Sequence, residues 1–355
     1  MKRILVTGAG GPAASNFIKS LRMAPEKFYI VGTDINHYHL ELSDVDKAYI
    51  LPSVSSSNYL RLLNQIIKKE KIELIHSQPD PEVIFLSENR EKINTKVFLP
   101  AKKTIRICQN KIETYNILKK NNIPVGESYL VKNVKDLRKA LRNLLKNHEK
   151  VWIRAIKGAG SRAALPIKYF EHAKMWIDYW EKMKKIGYGN FMVTEFLPGK
   201  EFAFQSLWKD GELIVSQARE RLEYLFGNIT PSGQTSTPSV AKTVHRNDIN
   251  KIVTDGIKAI DPQATGIFCV DLKENKKGIP CITEINAGRF FTTSNFFSEA
   301  GLNMPYYYVK LAFGERLPKL KKYNPLPPNF YWIRQVDMGY KLIKEKKWKS
   351  KKLRT

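Results

Sequence analysis

Residues 266–286 read GIFCVDLKENKKGIPCITEIN, and the reading of this stretch decides the fold. Two apolar runs, residues 266–272 and 279–285, flank a polar turn at 273–278 that ends in glycine. That pattern predicts two antiparallel strands. Asp271 and Glu284 then lie side by side on one face. Asn286, two residues beyond Glu284, points to the same face because side chains alternate along a strand. Two carboxylates and an amide oxygen are hard oxygen donors, suited to magnesium or manganese carrying nucleotide phosphates. Seen alone, the pattern is equally that of a solvated strand face.

The chain before this pair is also rich in strand. Residues 191–196 and 201–208 read as strands, and Lys209-Asp210-Gly211-Glu212 is a hairpin turn with the Asp-Gly signal, returning through 213–217. Residues 226–240, full of Gly, Ser, Thr and Pro, form a loop long enough to be functional. Further upstream, 111–121 and 134–147 have helical periodicity. Residues 151–154 are a strand running into Lys157-Gly158-Ala159-Gly160-Ser161-Arg162.

The first hundred residues have a different grammar. Strands at 4–7, 28–33 and 72–77 alternate with helices at 15–22 and 58–70, which predicts a parallel doubly wound sheet. Pro100 and the basic stretch 102–106 mark a boundary. The class is therefore α/β, with α+β character in the remainder of the chain. Gly8-x-Gly10-x-x-Ala13 comes directly after the first strand, with Asp34 about twenty residues on, and matches the dinucleotide-binding fingerprint. An NAD(P)-dependent oxidoreductase is one alternative reading; the plain one is that the glycines permit close helix packing.

The 355 residues include 60 Lys and Arg against 34 Asp and Glu, a net charge of +26. This balance fits anionic ligands and says nothing of fold. Residues 341–355 carry eight bases against Glu345 alone. They read as a solvated tail, or as a basic nucleic-acid-binding arm, the second alternative. No apolar run approaches the roughly 18 residues that span a bilayer, and only Ile4-Leu5-Val6 come after the first three residues, so a cytoplasmic enzyme without membrane contact is expected. Cys108, Cys269 and Cys281 have no C-x-x-C spacing, and Cys269 and Cys281, inside apolar runs, read as buried, inert thiols.

Taken in order, these stretches resemble the ATP-grasp superfamily over nearly the whole chain, nearest to its carbamoyl-phosphate-synthetase-like and carboxylate–amine ligase members. The stretches that carry the likeness are Asn110-Lys111 with Asn122-Ile123-Pro124-Val125, Arg154 with the Gly158-to-Ser161 loop, and Glu195-Phe196-Leu197-Pro198-Gly199-Lys200-Glu201. The resemblance implies a Rossmann-like domain (1–105), a small lobe with a glycine lid (106–188), a large lobe with the metal site (189–340) and a basic tail (341–355). It implies ATP with Mg2+ or Mn2+ on Asp271, Glu284 and Asn286. Lys111 and Arg154 would hold phosphates under the Gly158, Gly160 and Ser161 lid. Glu195, Phe196 and Leu197 would meet adenine, and Glu201 the ribose. Arg289 would reach the γ-phosphate or the acyl group. The partners are then ATP, a small carboxylate and an amine, with a homodimer as one compatible assembly and no specific nucleic acid.

Elementary chemistry asks for the same parts, since phosphoryl transfer is catalysed mainly by positioning and charge neutralisation. The chain departs from the family pattern in three places. Ala155 stands after the basic residue where proline is usual, Arg162-Ala163-Ala164 replaces further glycines, and Ala287-Gly288 inserts one residue before Arg289. Arg219 and Arg221 are candidates for binding a substrate carboxylate or phosphate, the alternative being ion pairs with Glu220 or Glu223. Phe290, Phe291, Phe296 and Phe297 read as core.

Overall fold

The computed structural model describes residues 1–158, 163–230, 233–235, 237–334, 336 and 350–352. Three sheets organise them.

The first is parallel. Its strands are β1 (Lys2–Thr7), β2 (Phe28–Asp34), β3 (Lys47–Ile50), β4 (Leu74–Ser77) and β5 (Lys96–Val97), joined by helices α1 (Pro12–Arg22), α2 (His37–Leu40), α3 (Tyr59–Lys69) and α4 (Asp80–Glu88). Ile4, Leu5 and Val6 are a continuous apolar run because helices cover both faces of the central strand. β1 lies between β2 and β4, so the order of winding reverses there. The loops after β1 and β4, Gly8 to Gly11 and Gln78 to Pro79, therefore face one crevice. They touch: a Cβ on Gly8, whose φ is +61°, would lie 2.3 Å from the Pro79 ring.

Helices α5 (Lys102–Cys108) and α6 (Lys111–Lys120) lead into a small antiparallel sheet. It contains β6 (Ser128–Val131), β7 (Val151–Ala155), β8 (Leu165–Ile167) and β9 (Phe191–Glu195) in the order β6-β9-β7-β8, with α7 (Val134–Leu144) and α8 (Phe170–Lys184) packed on it. The expected boundary at 188/189 would put β9 in the large lobe, whereas its pairing with β6 and β7 puts it here. The third sheet is antiparallel: β10 (Glu201–Lys209), β11 (Glu212–Tyr224), β12 (Pro238–Val244), β13 (Gly266–Glu274), β14 (Pro280–Ala287) and β15 (Tyr331–Ile333). Helix α9 (Asn247–Ile260) covers one face; α10 (Asn295–Glu299) and α11 (Met304–Ala312) come after the last long strand.

The small lobe keeps its own core, in which Leu137, Leu141 and Leu144 of α7 meet Val151, Ile153 and Val193. The other two units share theirs. Phe17 of α1 stacks on His76 of β4 at 4.0 Å and meets Phe290 and Tyr308 at 5.4 and 6.3 Å. Ser20 of α1 bonds Asn295 at 3.0 Å. The phenylalanines at 290, 291, 296 and 297 are all buried. So are the three cysteines.

The basic tail departs from a purely solvated end. Residues 337–349 lie outside the described residues, but Ser350–Lys352 form β16, parallel to β3 at the edge of the first sheet. Among the described residues, no helix is long and apolar enough to cross a membrane.

Candidate functional site

β13 and β14 pair in the register the sequence predicts, with Asp271 opposite Glu284 and Cys269 opposite Asn286. The row continues through Ala203 of β10 to Arg219 of β11, and the next row joins Lys273, Glu201 and Arg221. One face of the large sheet thus gathers acids and bases from four strands. Asn286 Nδ2 donates to Asp271 Oδ2 at 3.2 Å. Arg221 pairs with Asp271, two strands away in the sheet. Glu220 points to the opposite face, toward Lys200 (3.8 Å) and Lys242 (3.5 Å), rather than to Arg219 or Arg221, the alternative pairing. Arg219 is 1% exposed, donates to the Thr293 carbonyl at 3.2 Å and rests its guanidinium 4.9 and 5.4 Å from the Phe291 and Phe297 rings.

Three further bases converge on the two carboxylates. The backbone N–H of Lys111 donates to the Ile156 carbonyl at 2.9 Å, fastening the start of α6 beside β7. Its Nζ donates to the Gly158 carbonyl at 2.7 Å and lies 3.2 Å from Glu284. Arg154 reaches from β7 to the Thr283 carbonyl of β14 at 3.0 Å, across the lobes. Arg289 binds both Asp80 of α4 and the Asn286 side-chain oxygen. The extra residue before Arg289 is absorbed by Gly288, whose φ of +91° turns the chain as its N–H donates to the Ile267 carbonyl at 2.8 Å. Burial opposes the charge of Glu284, but Lys111, Arg154 and Arg289 outweigh it and hold its pKa below the ordinary value. Burial raises the pKa of Asp271 despite Arg221. It lowers those of Arg154 and, to about 9, Arg219.

Asp271, Glu284 and Asn286, with Lys111, Arg154, Arg221 and Arg289, form one end of a cavity of about 520 Å³, whereas Arg219 does not line it. The other end is apolar, walled by Leu118, Val125, Trp152, Met192, Leu197 and Ile282, with Phe196 at its margin. Glu195 there accepts from the Glu127 N–H at 3.2 Å. Glu201 accepts from Lys273 at 2.6 Å and from Tyr224 and Gln234, the last belonging to the polar loop. Gly158 lines the cavity; Gly160 and Ser161 lie outside the described residues. The donor set fits a magnesium ion, with two carboxylate oxygens and an amide within one patch. Among the described residues no group of three or more His, Cys, Asp or Glu side chains is placed for a metal.

Sequence reasoning missed the third wall. Gly8, Gly11 to Ala14, Gln78 and Asp80 of the first domain line the same cavity. The signal available was Gln78-Pro79-Asp80 directly after an apolar strand. The dinucleotide fingerprint itself is used internally. Asp34 accepts from the Gly10 N–H at 3.0 Å, and α2 closes over Gly10 so that a Cβ there would lie 2.5 Å from His39. An acid that should hold a ribose is thus held by the glycine turn.

Two family models match the chain: the PylC-like N-terminal domain over residues 4–98 and the ATP-grasp domain over 108–294, more than half of the sequence. No curated protein matches by sequence. Among solved structures it is similar to the biotin carboxylase domain dimer of 2-oxoglutarate carboxylase from Hydrogenobacter thermophilus, crystallised with MgADP, ADP and bicarbonate. That likeness has a TM-score of 0.71 at 17% identity over 93% of this chain and 73% of that one. An L-amino acid ligase from Bacillus licheniformis gives 0.64 at 16%, covering 88% and 74%. An N5-carboxyaminoimidazole ribonucleotide synthetase from Thermotoga maritima gives 0.63 at 19%, covering 90% and 78%. At these identities the likeness is one of fold.

Proposed function

The chain belongs to the ATP-grasp family, and on that premise we propose that it is an ATP-dependent carboxylate–amine ligase that releases ADP and phosphate. The observation that carries this reading is the convergence of Asp271, Glu284 and Asn286 with Lys111, Arg154 and Arg289 at one end of a cavity whose other end is apolar. Each carboxylate of this patch faces a base, Asp271 toward Arg221 and Glu284 toward Lys111. A triphosphate would draw those bases to its oxygens and release the carboxylates for the cation.

Adenine fits the apolar end beside Glu195, Phe196 and Leu197, and Glu201 suits the ribose hydroxyls. Lys111 and Arg154 neutralise phosphate oxygens, Arg154 with a fork that matches two at once. Magnesium, or manganese, held by Asp271, Glu284 and Asn286 would supply charge neutralisation and alignment of the phosphates. Arg289, held by Asp80 beside Asn286, would steady the transferring group. Gly158, with Gly160 and Ser161, would keep water from an acyl phosphate.

Among the described residues lining the cavity there is neither histidine nor cysteine. In this reading the substrate carboxylate attacks the γ-phosphate itself, giving an acyl phosphate and ADP, after which an amine displaces phosphate. Hydroxylamine in place of the amine should trap the acyl phosphate as a hydroxamate, with ADP formed in equal amount. AMP with pyrophosphate, or γ-phosphate label left on the protein, would refute the mechanism.

A further inference from the structure

Helix α8 buries only part of its apolar surface. Of its fifteen residues Ala173 and Ile177 are buried, with Phe170, Trp176 and Trp180 packed beside them on the small-lobe core. At 3.6 residues per turn these five cover about 120° of the helix, enough to hold it on the sheet. The apolar arc runs on past them. Met175, Tyr179 and Met183 stand at i, i+4 and i+8, one stripe beside the packed face, and widen the arc to about 220°. They are 61%, 53% and 59% exposed, and Tyr169 at the N-cap is 60% exposed. A helix that only closed its own lobe would carry polar residues there. The stripe is also held in place: Tyr179 stacks on Trp176 with ring centroids 6.1 Å apart and meets Trp180 edge-on at 6.4 Å.

Charge decides what covers it. Residues 128–190 hold fifteen Lys and Arg against five Asp and Glu, a net +10 out of the +26 of the whole chain. Lys174 pairs with Asp178, and Lys168, just before the helix, with Glu149. Lys182, Lys184 and Lys185 crowd the C-terminal end, where Glu181 is the nearby acid. A second copy seated on this face would bring two such lobes together, +10 against +10. An anionic surface is drawn to the same charge. The side chains suit a lipid interface, where Tyr and Trp rings settle at headgroup depth and flexible Met side chains enter the layer below. A convex helix needs a matching groove in a protein partner and none in a fluid bilayer.

We propose that α8 docks the chain on anionic phospholipid, lying flat with Tyr169, Met175, Tyr179 and Met183 in the headgroup layer and the basic lobe drawn to the surface. The helix does not span. Its fifteen residues rise about 22 Å, against roughly 30 Å of hydrocarbon, and its polar arc carries Glu171, Lys174, Asp178, Glu181 and Lys182. Docking of this kind amends the sequence-based expectation of no membrane contact, which rested on the lack of a spanning run.

Vesicle sedimentation tests it. The full-length chain is spun with vesicles of phosphatidylcholine alone, and with vesicles in which about one third is phosphatidylglycerol. Retention on the mixed vesicles is expected, falling with salt, and little on the neutral ones. Tyr179→Ser combined with Met183→Ser should weaken retention about tenfold or more, by removing apolar surface that enters the interface. Both side chains are more than half exposed, so the melting temperature should not change. Met175→Ser with Met183→Ser serves if the first pair melts lower, with the same loss expected. Absence of retention on the mixed vesicles would overturn the proposal. So would equal retention of the substituted chain, which would leave binding to charge alone, the tail at 341–355 included. A dimer in solution that the same substitutions dissolve would assign the stripe to a second copy, and the proposal would fall with it. No nucleotide enters the assay, so its outcome is independent of the ligase reading.

Discussion

The small lobe and the rest of the molecule are built on opposite plans. The buried core of the small lobe is drawn from residues 131–193. The parallel sheet and the large sheet instead share side chains: Phe17, His76, Phe290 and Tyr308 form one aromatic block across them. The cavity lies between the two plans. Asp80, Glu201, Asp271 and Glu284, with Lys111 and Arg289, stand on the fused body, while the small lobe brings Arg154 and the Trp152, Met192 and Glu195 wall. On the proposed ligase reading, the carboxylate patch would be preorganised, and closure over the phosphates would be a separate step in which Arg154 spans the lobes.

Four measurements put this division to the test. Glu284→Gln should lower kcat on the order of a thousandfold, about 4 kcal/mol, because phosphate charge is left uncompensated on the rigid side. Circular dichroism should be unchanged, and full activity would place the cation elsewhere. Leu141→Ala, which hollows the small-lobe core, should cost about 3 kcal/mol. Hydrogen exchange should then quicken in β6, β7 and β9 while β1 and β10 keep their protection; loss of protection in the body would show the two cores to be one.

Arg154→Met should reduce ADP formation about a hundredfold, near 2.7 kcal/mol, by removing the donor that spans the lobes. A change confined to KM would mean that Arg154 only aids binding. The smallest effect belongs to the tail. Deleting residues 341–355 should leave ATP turnover within about twofold while weakening retention on DNA, and that retention should fall steeply with salt. Loss of turnover would tie β16 to the site.

The face that carries Asp271, Glu284 and Asn286 was legible because strand alternation is a local rule: the three need only a turn of the right length between them. The same rule, applied to Arg219-Glu220-Arg221, already separates the arginines from Glu220. What it cannot supply is the partner of Arg221, since Asp271 becomes its neighbour only when β11, β10 and β13 stand side by side. The glycine fingerprint shows the converse. Its turn was legible, but its use depends on α2 closing over Gly10 and on Asp34 turning inward. The third wall was hidden for a like reason, because Gln78 and Asp80 meet the metal face only through the fused body. That β9 joins β6 and β7 was not legible either, because sheet partners, not composition, decide which sheet a strand enters.

The pairing of β16 with β3 also bears on how the protein is made. Residues 47–50 leave the ribosome about 300 residues before 350–352, which are their partners. At roughly 5–20 residues per second, the edge of the first sheet stands open for about 15–60 s during each round of translation. An unpaired strand edge is a template for joining other chains. Silent codon changes that slow the ribosome after residue 50 should therefore raise the aggregated fraction of nascent chains without altering a single contact in the finished protein.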